Sequence, residues 1–259
     1  MTRHNNNRLS LTVAMLSSML LAIPVYGAEI KTTLDWHQRS VLSTPVSGVI
    51  ASINVSPGAL VSKGEVLLQL DDRALQQNVA QAEAAVERYR LLEEEAQREL
   101  DRTMELYEQT LIADHERQMA IIAYNEAQAE HKAAKAGLVK AQMDLEYSAV
   151  RAPYDAVVLK QHAQLGQTIA SITTITPLVE VAERGMMAAT VEVSGAAVER
   201  LSLGDKVKVK VGGQVYNGAV ESIALEPVST KSSQYAVRVA FSTQGKVLRA
   251  GQSAQVILP

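Results

Sequence analysis

The sequence predicts an elongated, multi-domain α+β protein. In it, a long antiparallel α-helical coiled-coil hairpin is inserted into a split β-sandwich, and a small antiparallel β-barrel follows. Residues 73–147 keep apolar or small side chains at helical spacing. Residues 41–72 and 148–182 have the pattern of short strands broken by turns. In residues 183–259, apolar and polar residues also alternate as in strands. These segments are the predicted hairpin, the two sandwich halves and the barrel.

The N-terminus has the layout of a secretory signal peptide, which we place at residues 1–28. Arg3 and Arg8 precede an apolar run from Leu9 to Val25, and the small residues Gly27 and Ala28 follow. We expect cleavage after Gly27; an uncleaved signal anchor is the alternative. In both cases the rest of the chain lies outside the cytoplasm.

Composition excludes several classes of protein. The net charge of -3 provides no electrostatic reason to expect nucleic acid as a partner. The absence of cysteine excludes disulfides, thiol catalysis and thiolate metal sites. With one Phe and one Trp, the cores must be built from Val, Ile, Leu and Ala.

The two sandwich halves share one pattern of short strands and tight turns. In the first half, alternating apolar residues from Val49 to Val55 and from Val66 to Leu70 flank a turn at Pro57-Gly58. Asp71 or Asp72 then stands where a helix N-cap belongs. The same pattern returns after residue 148, so we expect the halves to pair, with the hairpin emerging from the turn between them.

The hairpin pattern is that of a two-stranded coiled coil, in which apolar positions repeat every 3.5 residues or so. The first arm has its seam at Leu75, Val79, Ala82, Val86 and Tyr89, slips by about one position, and resumes at Leu92, Ala96, Leu100, Thr103 and Tyr107. The return arm carries Tyr124, Ala127, His131, Ala134, Leu138, Ala141 and Leu145. Arms of roughly 34 residues reach about 50 Å. Asp114 is the expected N-cap of the return helix.

In the C-terminal segment, polar and apolar residues alternate as they do in a strand with one buried face. Lys206, Lys208 and Lys210 point to one face of a strand, and the intervening valines point to the other. Gly218 is expected at a bulge or corner. We interpret the lysines as a solvated face. A role in binding substrate or lipid is a minority alternative.

Three sets of residues resemble a known family. Residues 45–71, with Pro57-Gly58 and Leu67-Leu68-Gln69-Leu70-Asp71, look like the first half of a lipoyl-like domain, and residues 151–166 look like its second half. A lipoyl-like domain split by a helical hairpin is typical of the periplasmic adaptor, or membrane-fusion, proteins (HlyD-like). Residues 187–258 resemble the β-barrel of that family, so the resemblance covers nearly the whole mature chain.

The resemblance implies a periplasmic adaptor subunit of a tripartite efflux complex. Its partners are an inner-membrane transporter, most simply of the resistance–nodulation–division (RND) type, and a TolC-type outer-membrane channel. It forms a homo-oligomeric ring, expected to be a hexamer, in the periplasm of a Gram-negative envelope. Family members carry Arg, Leu and Ser around the hairpin tip; here Arg102, Leu106 and Ala113 stand at the matching spacing, beside Leu111 and Asp114. A surface charge paired with a nearby Glu is the alternative for Arg102.

We expect no catalytic, cofactor or metal site. The five histidines lack metal-ligand spacing, and His131 is expected to lie in the hairpin seam. In a carrier domain the cofactor-bearing Lys occupies the turn that the hairpin replaces here. Because the chain stops after the last barrel strand, we expect the barrel, the sandwich or an uncleaved anchor to contact the transporter.

Two alternatives stay open. One is an adaptor of a type I secretion system or another ATP-driven (ABC) exporter. The other is a periplasmic coiled-coil scaffold with no role in transport. The sequence does not identify an exported substrate.

Overall fold

The computed structural model describes residues 29–170, 175–229 and 232–259, so the predicted signal peptide lies outside the described residues. The strands are β1 (Glu29–Trp36), β2 (Arg39–Leu42), β3 (Gly48–Ile53), β4 (Leu60–Val61), β5 (Val66–Leu70), β6 (Ala149–Arg151), β7 (Ala156–Gln161), β8 (Thr168–Ile169), β9 (Val179–Glu183), β10 (Met186–Ser194), β11 (Lys206–Val211), β12 (Gln214–Pro227), β13 (Gln234–Ser242) and β14 (Ser253–Ile257). The helices are α1 (Arg73–Glu108), α2 (Asp114–Glu146) and α3 (Gly195–Val198). In the part of the chain that the structure covers, no helix is both long and apolar enough to span a bilayer.

The sandwich interleaves the two halves of its sequence. One sheet has the order β2-β9-β7-β4 and the other β6-β5-β3-β8, so each contains strands from before and after the helices. Side chains from both sheets form one core, in which Leu67, Leu178 and Val181 are completely buried. The predicted pairing of the two halves is therefore confirmed.

The two long helices leave and rejoin the sandwich at neighbouring strands. α1 follows β5 and α2 precedes β6, and these strands pair with each other. At the base, the Thr44 hydroxyl donates to the carbonyl of Tyr147 at 2.7 Å, and the Gln69 amide donates to the Ser148 hydroxyl at 2.8 Å. These contacts fix the C-terminal end of α2 to the sandwich. At about 1.5 Å per residue, the 36 residues of α1 rise about 54 Å.

The contact face of α1 runs without a phase shift. Leu92 is exposed, whereas Glu93 faces α2, where its carboxylate bonds to Nδ1 of His131. His131 is 6% exposed, as predicted for a seam position. The predicted slip toward Leu92 is wrong because an acidic residue occupies the seam with an imidazole as partner. That hydrogen bond lowers the pKa of Glu93.

The barrel is closed and has the strand order β1-β10-β13-β12-β11-β14. It includes β1, which the sequence pattern assigns to no domain; Glu29 pairs with Ile257 and Trp36 with Met187. The valines of β11 point into the core, and the lysines point away from it, as predicted. Phe241 lies 5.4 Å from Tyr216 between ring centroids. The barrel core thus forms around the two rings and a set of β-branched side chains.

An ion-pair network joins the barrel to the sandwich. Nδ1 of His37, in the turn between β1 and β2, lies 2.5 Å from Glu183 of the sandwich, and Nε2 lies 3.0 Å from Glu221 of the barrel. Arg238 donates to the other Glu221 oxygen at 2.9 Å and to the carbonyl of His37 at 2.6 Å. Hydrogen bonding to Glu183 raises the pKa of His37, and partial burial opposes the rise.

The raised pKa of His37 predicts a loss of stability as the pH rises. A group with a raised folded-state pKa stabilises the fold fully below its unfolded pKa, about 6.5 for His, and loses that contribution as the pH rises through the folded value. We expect the free energy of unfolding, from urea titrations between about pH 5.5 and 8.5, to fall over this window. His37→Gln should flatten the dependence. An equal fall in the variant would contradict the assignment to His37.

Candidate docking site at the tip of the helix pair

The tip, which we define as residues 102–117, consists of the end of α1, the loop 109–113 and the start of α2. The helices run antiparallel, since Tyr107 contacts Arg117 near the loop while Glu93 contacts His131 farther toward the sandwich. The loop is the part of the helix pair most distant from its base. The tip is therefore the part of the rod best placed to meet another molecule end-on.

A Schellman motif ends α1. The backbone N–H of Leu111 donates to the carbonyl of Leu106 at 3.0 Å, and the backbone N–H of Thr110 donates to the carbonyl of Tyr107 at 2.9 Å. Thr110 takes the left-handed position of the motif, with φ of 60°. Glycine usually occupies this position because a β-branched side chain is strained there. The tip therefore holds local backbone strain.

Replacing Thr110 by glycine is expected to stabilise the protein. The left-handed backbone costs an L-residue about 1 kcal/mol or more, and glycine avoids that cost. Thr110→Gly should raise the free energy of unfolding by about 1 kcal/mol in urea titrations. The matched control is Gln109→Gly at φ of -80°, where glycine should instead destabilise. Destabilisation by both variants would contradict the strain at Thr110.

The start of α2 differs from the prediction. The N-cap is Ala113, with extended backbone, and Asp114 is the first helical residue, so the prediction that Asp114 caps α2 is wrong. In its helical conformation, Asp114 bonds to Arg117 at 2.6 Å instead of to the helix N-terminus. An alanine offers no acceptor, so the capping interaction comes only from Glu116, whose carboxylate accepts from the Ala113 N–H at 3.4 Å.

Arg117 links the two helices at the tip. Its guanidinium lies 4.9 Å from the ring centre of Tyr107 on α1, which is the geometry of a cation–π contact. A side-chain hydrogen bond to Asp114 holds the guanidinium in this position and raises the pKa of Arg117. The sequence pattern placed Tyr107 in the seam, but it did not select Arg117 as the residue that faces it. The spacing of three between Asp114 and Arg117 was the available signal.

The structure brings together some of the predicted docking residues. Leu106 and Leu111 are joined through the Schellman hydrogen bond, and Leu111 is 66% exposed. Ala113 and Asp114 are exposed on the other side of the loop. Arg102 lies one helical turn before Leu106, with a side chain that is 68% exposed and bonded to Glu99 at 2.7 Å. The surface-pair alternative for Arg102 thus describes its observed state.

Further apolar side chains extend this surface. Met104 on α1, and Met119 and Ile122 on α2, are exposed, and sequence reasoning did not select them. Methionine adapts its shape to a partner and is frequent on binding surfaces. Together with Leu111, these side chains add exposed apolar area at the tip and on the adjoining turns of α2.

Within the described ranges, no three His, Cys, Asp or Glu side chains come together as a possible metal site. His115 is exposed at the tip, and His162 bonds to Glu180 on the sandwich at 3.0 Å.

The family model described as the CzcB-like barrel-sandwich hybrid domain matches residues 38–180, which is more than half of the chain. The match spans the sandwich and both long helices.

Solved structures share the fold. The membrane fusion protein Spr0693 from Streptococcus pneumoniae R6 is similar with a TM-score of 0.67 and 17% sequence identity, covering 90% of this chain and 98% of that one. A MacA–MexA chimeric protein that contains the Pseudomonas aeruginosa MexA α-hairpin domain has a TM-score of 0.64 and 20% sequence identity, covering 89% of this chain and 80% of that one. MacA from Actinobacillus actinomycetemcomitans has a TM-score of 0.58 and 20% sequence identity, covering 90% of this chain and 78% of that one.

Proposed function

Because the chain belongs to the CzcB-like barrel-sandwich hybrid domain family and shares its fold with membrane-fusion proteins, as its resemblance suggested, we propose that it is a periplasmic adaptor that links an inner-membrane exporter to an outer-membrane channel. The observation that carries the proposal is the helix pair, which leaves and rejoins the sandwich at the paired strands β5 and β6 and ends in a loop where Leu111 is exposed. A rod of about 50 Å bridges a distance that a compact domain does not.

We propose the helix pair as a coiled-coil docking arm. Its tip enters a groove between helices of a TolC-type channel, with Leu106 and Leu111 in apolar contact and Arg102 exchanging Glu99 for an acceptor on the channel. Ala113 supplies no hydroxyl, so exposed Asp114 is the polar group that takes this place. The exchange at Arg102 costs little because an exposed ion pair contributes about 0–1 kcal/mol.

The barrel and sandwich form the other half of the assembly. We propose that they associate laterally into a hexameric ring on the periplasmic side of the inner membrane, over a transporter of the RND type. Leu203, Leu225 and Val228 are exposed on the barrel and provide apolar area for such contacts. In this role the protein has no catalytic activity and no cofactor, and residues 1–28 direct it out of the cytoplasm.

Site-specific photo-crosslinking tests the docking role. A photoreactive amino acid at Leu111 should capture an outer-membrane protein in intact cells, and one at Leu203 should capture a second copy or an inner-membrane protein. A crosslinker at Val139, exposed on α2 away from the tip, is the control and should not capture the outer-membrane protein.

The outcomes separate the alternatives. If the complex crosslinked through Leu203 contains an ATP-driven transporter and not an RND transporter, the type I secretion or ABC alternative would be favoured. Capture of soluble periplasmic proteins alone, at every position, would favour a scaffold outside transport. An outer-membrane partner at Val139 but not at Leu111 would reject the tip as the docking site.

A further inference from the structure

The junction between barrel and sandwich contains an apolar cavity of about 280 Å³, which we call the junction cavity. Both domains line it. The apolar wall is made of Trp36, Leu60, Val157, Met186, Met187 and Leu248. The cavity is about twice the ~150 Å³ of an apolar cavity that holds benzene, so it has room for an alkyl chain of medium length.

The charged side chains that line the junction cavity are both cationic. They are Arg184 and Lys246, and no carboxylate of the described chain lines the cavity. Nζ of Lys246 donates to the amide oxygen of Gln214, which is neutral, and no described acid lies within ion-pair distance of it. Arg184 forms an ion pair with Asp155 at 3.7 Å, and Asp155 does not line the cavity. The cavity therefore favours an anion over a cation.

A polar group in the wall of the cavity has no partner. Thr243 is 4% exposed, and its Oγ1 makes no hydrogen bond within the described chain. Its backbone is satisfied, since its N–H donates to Gly185 at 2.9 Å and its carbonyl accepts from Lys246 at 3.1 Å. Rotation about χ1 by about 120° can bring the hydroxyl to the position that the methyl group now occupies. An acceptor on a bound molecule would satisfy a group whose isolation costs about 1–3 kcal/mol.

We propose that the junction cavity binds an anionic amphiphile, with its alkyl chain between Trp36, Leu60 and Met186 and its acidic head near Lys246 and Arg184. The Thr243 hydroxyl donates to the head group. A molecule held there contacts barrel and sandwich together, at the junction that the His37 network also joins. The site is separate from the tip, so its test does not depend on the docking role.

The single tryptophan provides the measurement, because Trp36 lines the cavity. Decanoate, titrated into the purified chain below its micelle concentration, should change the Trp36 emission with saturation. Decanol and decyltrimethylammonium have the same chain with a neutral and a cationic head. We expect decanoate to bind at least about fivefold more tightly than the cation, a difference of about 1 kcal/mol. Equal affinity for the three, or no saturable change, would overturn the proposal.

Variants locate the binding site. Lys246→Gln should weaken decanoate binding several-fold and leave decanol unchanged, and Thr243→Val should weaken both. Lys206→Gln, which removes an exposed lysine of β11 away from the cavity, is the matched control. Unfolding curves for each variant establish that it is folded. A Lys246→Gln variant with unchanged selectivity would overturn the proposal. So would association with anionic phospholipid vesicles without decanoate binding, because it would indicate a membrane surface in place of a cavity.

Discussion

Replacing Leu111 with aspartate is expected to abolish coupling to the outer-membrane channel while the protein stays folded. Leu111 is 66% exposed, so the substitution removes little buried area. In the docked state the carboxylate would enter an apolar groove without a partner, at a cost of at least about 1.4 kcal/mol, or tenfold in affinity. Recovery of the channel in pull-downs should fall by tenfold or more, and export in a complemented deletion strain should fall with it.

Val139→Asp is the matched control, because it adds the same charge at an exposed apolar position of α2 away from the tip. It should leave both measurements near those of the unmodified protein. Urea unfolding of the two variants should agree within about 0.5 kcal/mol of the parent. Normal recovery of the channel with Leu111→Asp, or equal loss with Val139→Asp, would contradict a specific contact at the tip.

Gly218→Ala is expected to destabilise the barrel strongly. A Cβ at this position of β12 would lie 2.8 Å from the carbonyl oxygen of Ala240 and 3.2 Å from Cβ of Phe241. Both belong to the neighbouring strand, so the strands must separate or shift. Overpacking of this kind costs about 1–3 kcal/mol. The expected result is a fall of that size in the free energy of unfolding, with loss of near-ultraviolet signal from the barrel aromatics at a lower urea concentration.

Gly137→Ala is the contrasting substitution. Gly137 lies inside α2, where the added methyl group would have no neighbouring atom within 4 Å, and alanine is the better helix former. The substitution should stabilise the protein by about 0.5–1 kcal/mol. The opposite signs separate steric conflict from the general change of glycine to alanine; two stabilised variants would show that Gly218 has room for a methyl group.

Much of the fold follows from patterns that extend over many residues. Alternation predicted the inward valines of β11, and the turn residues predicted the split halves of the sandwich. The position of β1 did not follow, because a single strand carries no signal of which distant strands it will join. The slip predicted at Leu92 was wrong for a different reason. A carboxylate at a seam position resembles a break in the pattern until the facing His131 is known.

At the tip, too, the sequence predicted some residues and missed those whose role depends on the folded structure. Arg102, Leu106 and Ala113 were selected through the family resemblance, whereas Thr110 could not be, since threonine favours extended backbone and gives no sign of a left-handed turn. The cation–π contact of Tyr107 with Arg117 depends on the register between two helices, which spacing along one helix does not determine. The junction cavity likewise arises from the packing of two domains.

The pairing of β1 with β14 sets the order in which the protein is completed. Glu29 lies opposite Ile257, so these partners are separated by nearly the whole described chain. Closing so long a loop is slow, and contacts near in sequence form first. We therefore expect the helix pair, and then the sandwich, to form ahead of the barrel, which closes only when β14 pairs with β1. Until β14 is in place, residues 29–33 of β1 present unpaired backbone groups, and we expect this edge to be the segment most exposed to aggregation during folding.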